Sequence, residues 1–425
     1  MIQTAYTLIN GMFLGRLKEG AAPALAAIGV GGSALMVQFS LIVGLSVGTS
    51  ALVARSLGAG QHEDAQEATR QSLILSVIGG ALTAVPLVLF AVPIVAGIGA
   101  KGDVVPLAAD YLAIIACFSI PMFLLMIVTS ALRSAGDVRS PLYAGLIMTA
   151  LNVALDRVLI LGLGPFPSMG VHGAAIATGI SRLIGTILIF WFLRRSVLAG
   201  SLAHMRVNWE WFGRILNVGW PALLANLLWT TALTGYIRVL AALPDATAAQ
   251  GALTAASRIE AFAFMPGLAY SAAATPLVGQ NLGAGKPERA MHTAWVATAQ
   301  AAAIMSAVAV LFLTIPRPLS LLVTTEESVV RLMVSYLIIN AFSEPFLALG
   351  MVLRGALQGA GETRIPALVT FVTNWLIRVP LAWLLAVVCG YGAAGAWVAM
   401  SGTTILSGIL IAAWFKWGNW RAVQI

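Results

Sequence analysis

The chain has 425 residues, 60% of them hydrophobic and only 9% charged, with a formal net charge of +8. Soluble domains average roughly 45–50% apolar and about 25% charged, so a water-soluble enzyme and a disordered chain are both excluded. No basic run is longer than Arg194-Arg195, so the positive charge does not form a nucleic-acid-binding tract.

The apolar runs, such as 72–98, 108–132 and 367–388, are long and do not alternate. They fit membrane-spanning helices, which need about 20 apolar residues, and not barrel strands. In chain order the predicted helices are 1–15, 24–56, 64–97, 104–132, 138–162, 171–194, 213–240, 247–281, 287–315, 327–356, 365–388 and 393–417. Glycine-rich punctuation sets the boundaries: Gly-Ala-Gly at 58–60 and 283–285, Gly136-Asp137, Gly361-Glu362 and the stretch 162–170. The first run is too short to cross roughly 30 Å of hydrocarbon, so a start about one to two dozen residues upstream of Met1 is expected.

The 24 Lys and Arg residues are distributed unevenly. Even-numbered loops and the C-terminus carry fourteen, odd-numbered loops six, and four (Arg157, Arg182, Arg258, Arg378) lie within spans. The positive-inside rule then places both termini in the cytoplasm of a cell whose inner (plasma) membrane holds the chain. Cys117 and Cys389 read as small packing residues, and the four histidines lack metal-ligand spacing.

Self-similarity is the strongest signal. Leu57-Gly58-Ala59-Gly60 with Glu63 and Ala65 recurs in the second half as Leu282-Gly283-Ala284-Gly285 with Glu288 and Ala290. Ala131-Leu132-x-x-Ala135-Gly136-Asp137-x-Arg139-x-Pro141 recurs at the same offset as Ala356-Leu357-x-x-Ala360-Gly361-Glu362-x-Arg364-x-Pro366. Gly170-x-x-Gly173-Ala174 recurs at nearly that offset as Gly392-x-x-Gly395-Ala396. Each half therefore holds six spans, an even number, which makes a parallel repeat of two six-helix lobes, 1–200 and 201–425. Each Gly-Ala-Gly reads as a helix end with a left-handed cap, and Glu63 and Glu288 as first-turn acids favoured by the helix dipole.

The same residues resemble the multidrug and toxic compound extrusion (MATE) transporters over nearly the whole chain. The resemblance is carried by Phe13-Leu14-Gly15-Arg16-Leu17, Ala54-x-x-Leu57-Gly58-Ala59-Gly60, Leu132-x-x-Ala135-Gly136-Asp137, Asn152-x-x-x-Asp156, Pro266-Gly267-Leu268, Leu277-Val278-Gly279-Gln280-Asn281 and Leu357-x-Gly359-Ala360-Gly361-Glu362. The pattern is most similar to the bacterial DinF-like members. It implies a secondary antiporter that exports amphipathic, often cationic, organic compounds in exchange for H⁺ or Na⁺, without a cofactor. It also implies a cation-responsive network, which maps onto Asn152, Asp156 and Thr178. Where such members carry a first-helix acid, this chain has Asn10, which cannot take a proton but can hydrogen-bond, and it stands as the fourth candidate of that site.

Ionisable residues within spans sharpen this expectation, because a charge at the bilayer centre costs about 2.5–3.5 kcal/mol or more. Asn152 and Asp156 share one helix face at i, i+4 spacing. Burial of Asp156 in an apolar surround would favour its protonated form and suit it to gain and lose a cation, with Na⁺ as the alternative ligand. The alternative is a permanent pair of Asp156 with Arg182. In the second half, Glu260 and Glu344 are candidate contacts for a cationic substrate, and Pro345 can kink the helix after Glu344. By the repeat, Asn374 matches Asn152 and Arg378 matches Asp156, both at the offset of the third block. Arg378 either pairs with Glu344 or Glu260, or leaves an acid free for substrate. Gln38, like Tyr236 and Tyr270, can line a cavity or make an ordinary interhelical hydrogen bond.

The expected protein is thus an all-α, twelve-helix, monomeric antiporter whose partners are small organic molecules and the lipid bilayer. Its main rival is a lipid-linked oligosaccharide flippase of the same superfamily, which would want a strongly cationic cleft. No nucleophile–base constellation points to an enzyme.

Overall fold

The structure, a computed structural model, describes residues 21–162, 167–423 and 425. The run 1–15, and with it Asn10, lies outside the described residues. The helices are α1 (Ala21–Ala34), α2 (Met36–Gly58), α3 (His62–Leu89), α4 (Ala91–Ile98), α5 (Val104–Cys117), α6 (Ser119–Ser134), α7 (Arg139–Leu161) and α8 (Gly170–Leu193). They continue with α9 (Trp209–Ala241), α10 (Ala246–Gly283), α11 (Pro287–Thr314), α12 (Pro316–Leu321), α13 (Glu327–Ala341), α14 (Glu344–Gly359), α15 (Arg364–Val388) and α16 (Gly392–Trp417). Among the described residues, nine helices are long and apolar enough to cross a membrane, and eleven spans result when each of two bent pairs counts as one. The chain is a multi-pass, all-α membrane protein.

Four of the predicted helices are broken. The spans expected at 104–132 and 327–356 bend by 52° between α5 and α6 and by 60° between α13 and α14. Both bends fall on one repeated motif, Phe118-Ser119-Ile120-Pro121 in the first half and Phe342-Ser343-Glu344-Pro345 in the second. Proline lacks an N–H and its ring fits the first turn of a new helix, so α6 and α14 restart there. The run at 24–56 is interrupted by a turn at Leu35, and that at 64–97 by one at Phe90.

Helix α15 differs from its counterpart α7. It is π-helical over Phe371–Arg378 and again over Leu384–Val388. The Val379 N–H donates to the Asn374 carbonyl five residues back, and Pro380 next to it cannot donate at all, which accounts for the widened turn.

In a bilayer, apolar burial gains little, and close backbone approach takes its place. Some of the glycines within the helices serve this end. A Cβ on Gly58 would lie 2.1 Å from the Gln280 carbonyl oxygen, and one on Gly283 2.0 Å from that of Arg55, so the two Leu-Gly-Ala-Gly blocks pack on each other. The second glycine of each block closes its helix as expected, with φ of +76° at Gly60 and +68° at Gly285. After the second repeated block, Asp137 and Glu362 cap the next helix: each carboxylate accepts backbone N–H groups, of Arg139 and Ser140 and of Arg364 and Ile365 respectively.

The helices form two compact units, the described residues 21–53 with Gln61–Asn217, and Ala54–Gly60 with Val218–Ile425. In the first, α7 packs on α8, α3 on α6 and α1 on α5; in the second, α10 packs on α14 and α11, and α14 on α16. An aromatic cluster of Tyr236, Tyr336 and Trp397 anchors part of the second core, with Tyr336 and Trp397 edge to face at 5.0 Å. Cys117 and Cys389, expected as packing residues, are exposed and free.

Candidate functional site

Within the first unit, α7 and α8 approach closely because Gly173 meets the Leu159 backbone; a Cβ there would sit 2.6 Å from that carbonyl oxygen. This packing buries one face of α7 entirely. Asn152 and Asp156 lie on that face, one turn apart, both with no exposed surface. No side-chain nitrogen or oxygen of either residue has a hydrogen-bond partner among the described residues. Thr178 and Arg182 are buried on α8. Arg157, next to Asp156, is exposed and points elsewhere. Tyr111, buried on α5, lies within electrostatic range of both Arg182 and Asp156.

An unpartnered buried carboxylate is costly, because nothing replaces the water it has lost. The expected alternative for Asp156, a hydrogen-bonded pair with Arg182, is not formed. The cheapest way to neutralise such a group is to bind a cation, a proton included.

The second unit is built differently at equivalent places. Asn374 is buried on the π-helical turn and donates through Nδ2 to the Thr370 carbonyl at 3.0 Å. Arg378, half-buried, donates through Nε to the Thr403 hydroxyl at 2.8 Å and through Nη2 to the Thr404 hydroxyl at 2.9 Å. No ion pair among the described residues includes Arg378, so neither expected pairing, with Glu344 or with Glu260, is made. Glu260 instead accepts a hydrogen bond from the Tyr336 hydroxyl at 2.6 Å. Glu344, 1% exposed at the start of α14, leaves Oε2 without a partner. Two buried donors nearby in the same core, the Tyr236 hydroxyl and Trp397 Nε1, are also unpartnered.

Gln38 has an interhelical role. Its Nε2 donates to the Ser119 hydroxyl at 2.5 Å and to Thr83 Oγ1 at 3.2 Å, tying α2 and α3 to the α5–α6 bend. The structure thus brings together Asn152 and Asp156 in one unit, and Arg378 with the neighbourhood of Glu260 in the other. The reading of isolated residues missed Tyr111 and Tyr336, which occupy matching places in the two halves of the repeat, and the threonines that hold Arg378. The repeat offset would have found the tyrosines. The threonines carry no signal of their own.

The model of the MatE family matches residues 1–158 and 221–384. The "Probable multidrug resistance protein NorM" of Thermotoga maritima is 26% identical over 99% of this chain and 90% of its own length. The "FAD transporter" of Shewanella oneidensis is 27% identical over 95% of this chain and 88% of its own. Among solved structures, a MOP superfamily transporter from Pyrococcus furiosus superposes with a TM-score of 0.89 at 25% identity, covering 98% of this chain and 91% of that one.

Proposed function

The chain belongs to the MatE family of membrane transporters, and on that premise we propose that it is a secondary antiporter exporting amphipathic, cationic organic compounds in exchange for H⁺ or Na⁺. Its relatives' names as multidrug resistance proteins support the class of cargo. The observation that carries the coupling is Asp156: a fully buried carboxylate, one turn from Asn152, with no hydrogen-bond partner for either oxygen. Cation binding there would neutralise it, and release would restore the cost of a bare buried charge. That difference lets the ion bias one packing of the first unit over another, which is what coupling requires. Asn152 and Thr178 are the proposed neighbours of the ion, and Glu260 and Glu344 the proposed contacts for a cationic cargo. The membrane is the bacterial inner membrane, with both termini in the cytoplasm.

The energetics are adequate. Each pH unit of gradient is worth about 1.4 kcal/mol per proton, enough for tenfold accumulation of a monovalent cation exchanged one for one. The test is dye transport in proteoliposomes under an imposed pH gradient and, separately, a Na⁺ gradient. One gradient should drive dye in the wild type and fail in folded Asp156→Asn; a fully active Asp156→Asn would refute the assignment.

A further inference from the structure

Within the first unit, the segment that joins α8 to α9, residues 194–208, is docked on the start of α3 through its backbone. Gln66 Nε2 donates to the Val197 carbonyl at 2.9 Å, Arg70 Nη2 to the Gly200 carbonyl at 2.9 Å, and the fully buried Gln71 to the Arg206 carbonyl at 2.6 Å. The Asn208 N–H donates back to Gln71 Oε1 at 3.1 Å. An open cleft of about 580 Å³ remains there, and its walls include Glu67 and Arg70 of α3 and His204, Arg206, Val207 and Trp209. Its charge is not balanced. Glu67 is paired with Arg70 on its own helix. That leaves Arg206 as a second cation, whose side chain makes no hydrogen bond or ion pair among the described residues. His204 has a left-handed backbone, with φ of +49°, and its imidazole supplies an N–H donor in either charge state.

The second half of the repeat closes the matching place. Trp295 stands at the position of Arg70 and packs edge to face on Phe415 at 5.9 Å. Trp420, with no exposed surface, stacks on the same ring at 4.5 Å, and Arg421 pairs with Glu288 at 3.0 Å. The shared frame therefore does not require an open basic cleft, and the first half keeps one. Its rim is apolar. Spanning helices α3 and α9 both begin beside it. Trp209, 79% exposed, opens α9, and Met205 and Val207 before it are half exposed. Exposed tryptophan at the end of a span sits at the level of the lipid headgroups.

We propose that this cleft binds the phosphate of an anionic phospholipid. Arg206 is the principal contact, His204 a further donor, and Trp209 packs on the glycerol and upper acyl chain. A guanidinium fork matches phosphate oxygens in geometry and charge, and the phosphate is the anion available at headgroup depth. On the orientation proposed above, the lipid comes from the cytoplasmic leaflet. The site is separate from the ion and cargo groups, so it stands or falls independently of them.

Native mass spectrometry of the purified full chain in neutral detergent measures lipid binding without transport. One probe is dioctanoyl phosphatidylglycerol. The second is dioctanoyl phosphatidylcholine, which has the same chains but no net charge. The third is glycerol 3-phosphate, which has the phosphate but no chains. The wild type should bind phosphatidylglycerol about tenfold more tightly than phosphatidylcholine, as one charge-assisted contact gives, and glycerol 3-phosphate more weakly than phosphatidylglycerol. Arg206→Gln should erase the preference by weakening phosphatidylglycerol alone, and Arg206→Lys should keep part of it. Both should fold, because the Arg206 carbonyl and not its side chain fastens the segment. Trp209→Ala should weaken both lipids and leave glycerol 3-phosphate unchanged. Arg289→Gln, at an exposed arginine of α11, should change nothing. No preference in the wild type, a preference kept in Arg206→Gln, or the same loss in Arg289→Gln would overturn the proposal. Glycerol 3-phosphate bound as tightly as phosphatidylglycerol would overturn the lipid assignment in favour of a soluble phosphate ester.

Discussion

Helices α7 and α15 occupy the same place in the repeat, and each carries an asparagine followed four residues later by a charge. In α7 the charge is Asp156, whose oxygens have no partner among the described residues. In α15 it is Arg378, held by two threonine hydroxyls. On the neighbouring helix a charge is absent: Arg182 of α8 stands where α16 has the neutral Thr404. One frame thus supports two opposite electrostatic states. An arginine cannot lose its proton in a protein, so Arg378 presents the same charge in every state of transport. A carboxylate can be neutralised, so Asp156 is the group whose charge can change. On the proposal above, the first unit is the switch and the second the selector.

This contrast between the units breaks most severely if the switch is made to copy the selector. Asp156→Arg would bury a second arginine near Arg182 and should abolish gradient-driven dye transport while lowering the melting temperature sharply, since an uncompensated buried charge costs about 3–5 kcal/mol. Wild-type stability in Asp156→Arg would show that the α7 face is wetter than its burial implies. Next in size is a pair of tyrosines. Tyr336→Phe removes the donor to the Glu260 carboxylate and should cost about 1–3 kcal/mol, whereas Tyr111→Phe, with no hydrogen bond of its hydroxyl among the described residues to lose, should cost less. Thermal unfolding of the two variants side by side measures that difference. The smallest effect belongs to Gln38, whose repeat equivalent is Ala263. Gln38→Ala removes two interhelical bonds at the α5–α6 bend and should cost about 0.6 kcal/mol per bond, the average for such contacts in membranes. Loss of transport without loss of stability in Gln38→Ala would instead make it a cargo contact.

Much of this frame is legible in the sequence, for identifiable reasons. Long apolar runs dictate spanning helices, and glycines with acids beside them dictate where those helices stop and restart. The repeat offset by itself makes Arg378 the counterpart of Asp156. The bends were half legible: Pro121 and Pro345 mark them, but their angles depend on the packing around each restart. The π turn of α15 was not legible, because Pro380 is tolerated in a spanning helix with or without a widened turn. Partner choice was the least legible. Arg378 has two carboxyls and two threonines to choose from, and which it meets depends on how α15 crosses α16. A sequence lists the groups on each helix but not the reach between helices.

The central claim is that Asp156 couples the ion to the cargo and does not itself hold the cargo. Counterflow in proteoliposomes tests this directly, because exchange of labelled for unlabelled dye needs a cargo site but no ion gradient. The account predicts that Asp156→Asn keeps counterflow near the wild-type rate and loses all gradient-driven accumulation. Accumulation retained at the wild-type level, or counterflow lost together with accumulation in folded protein, would contradict it.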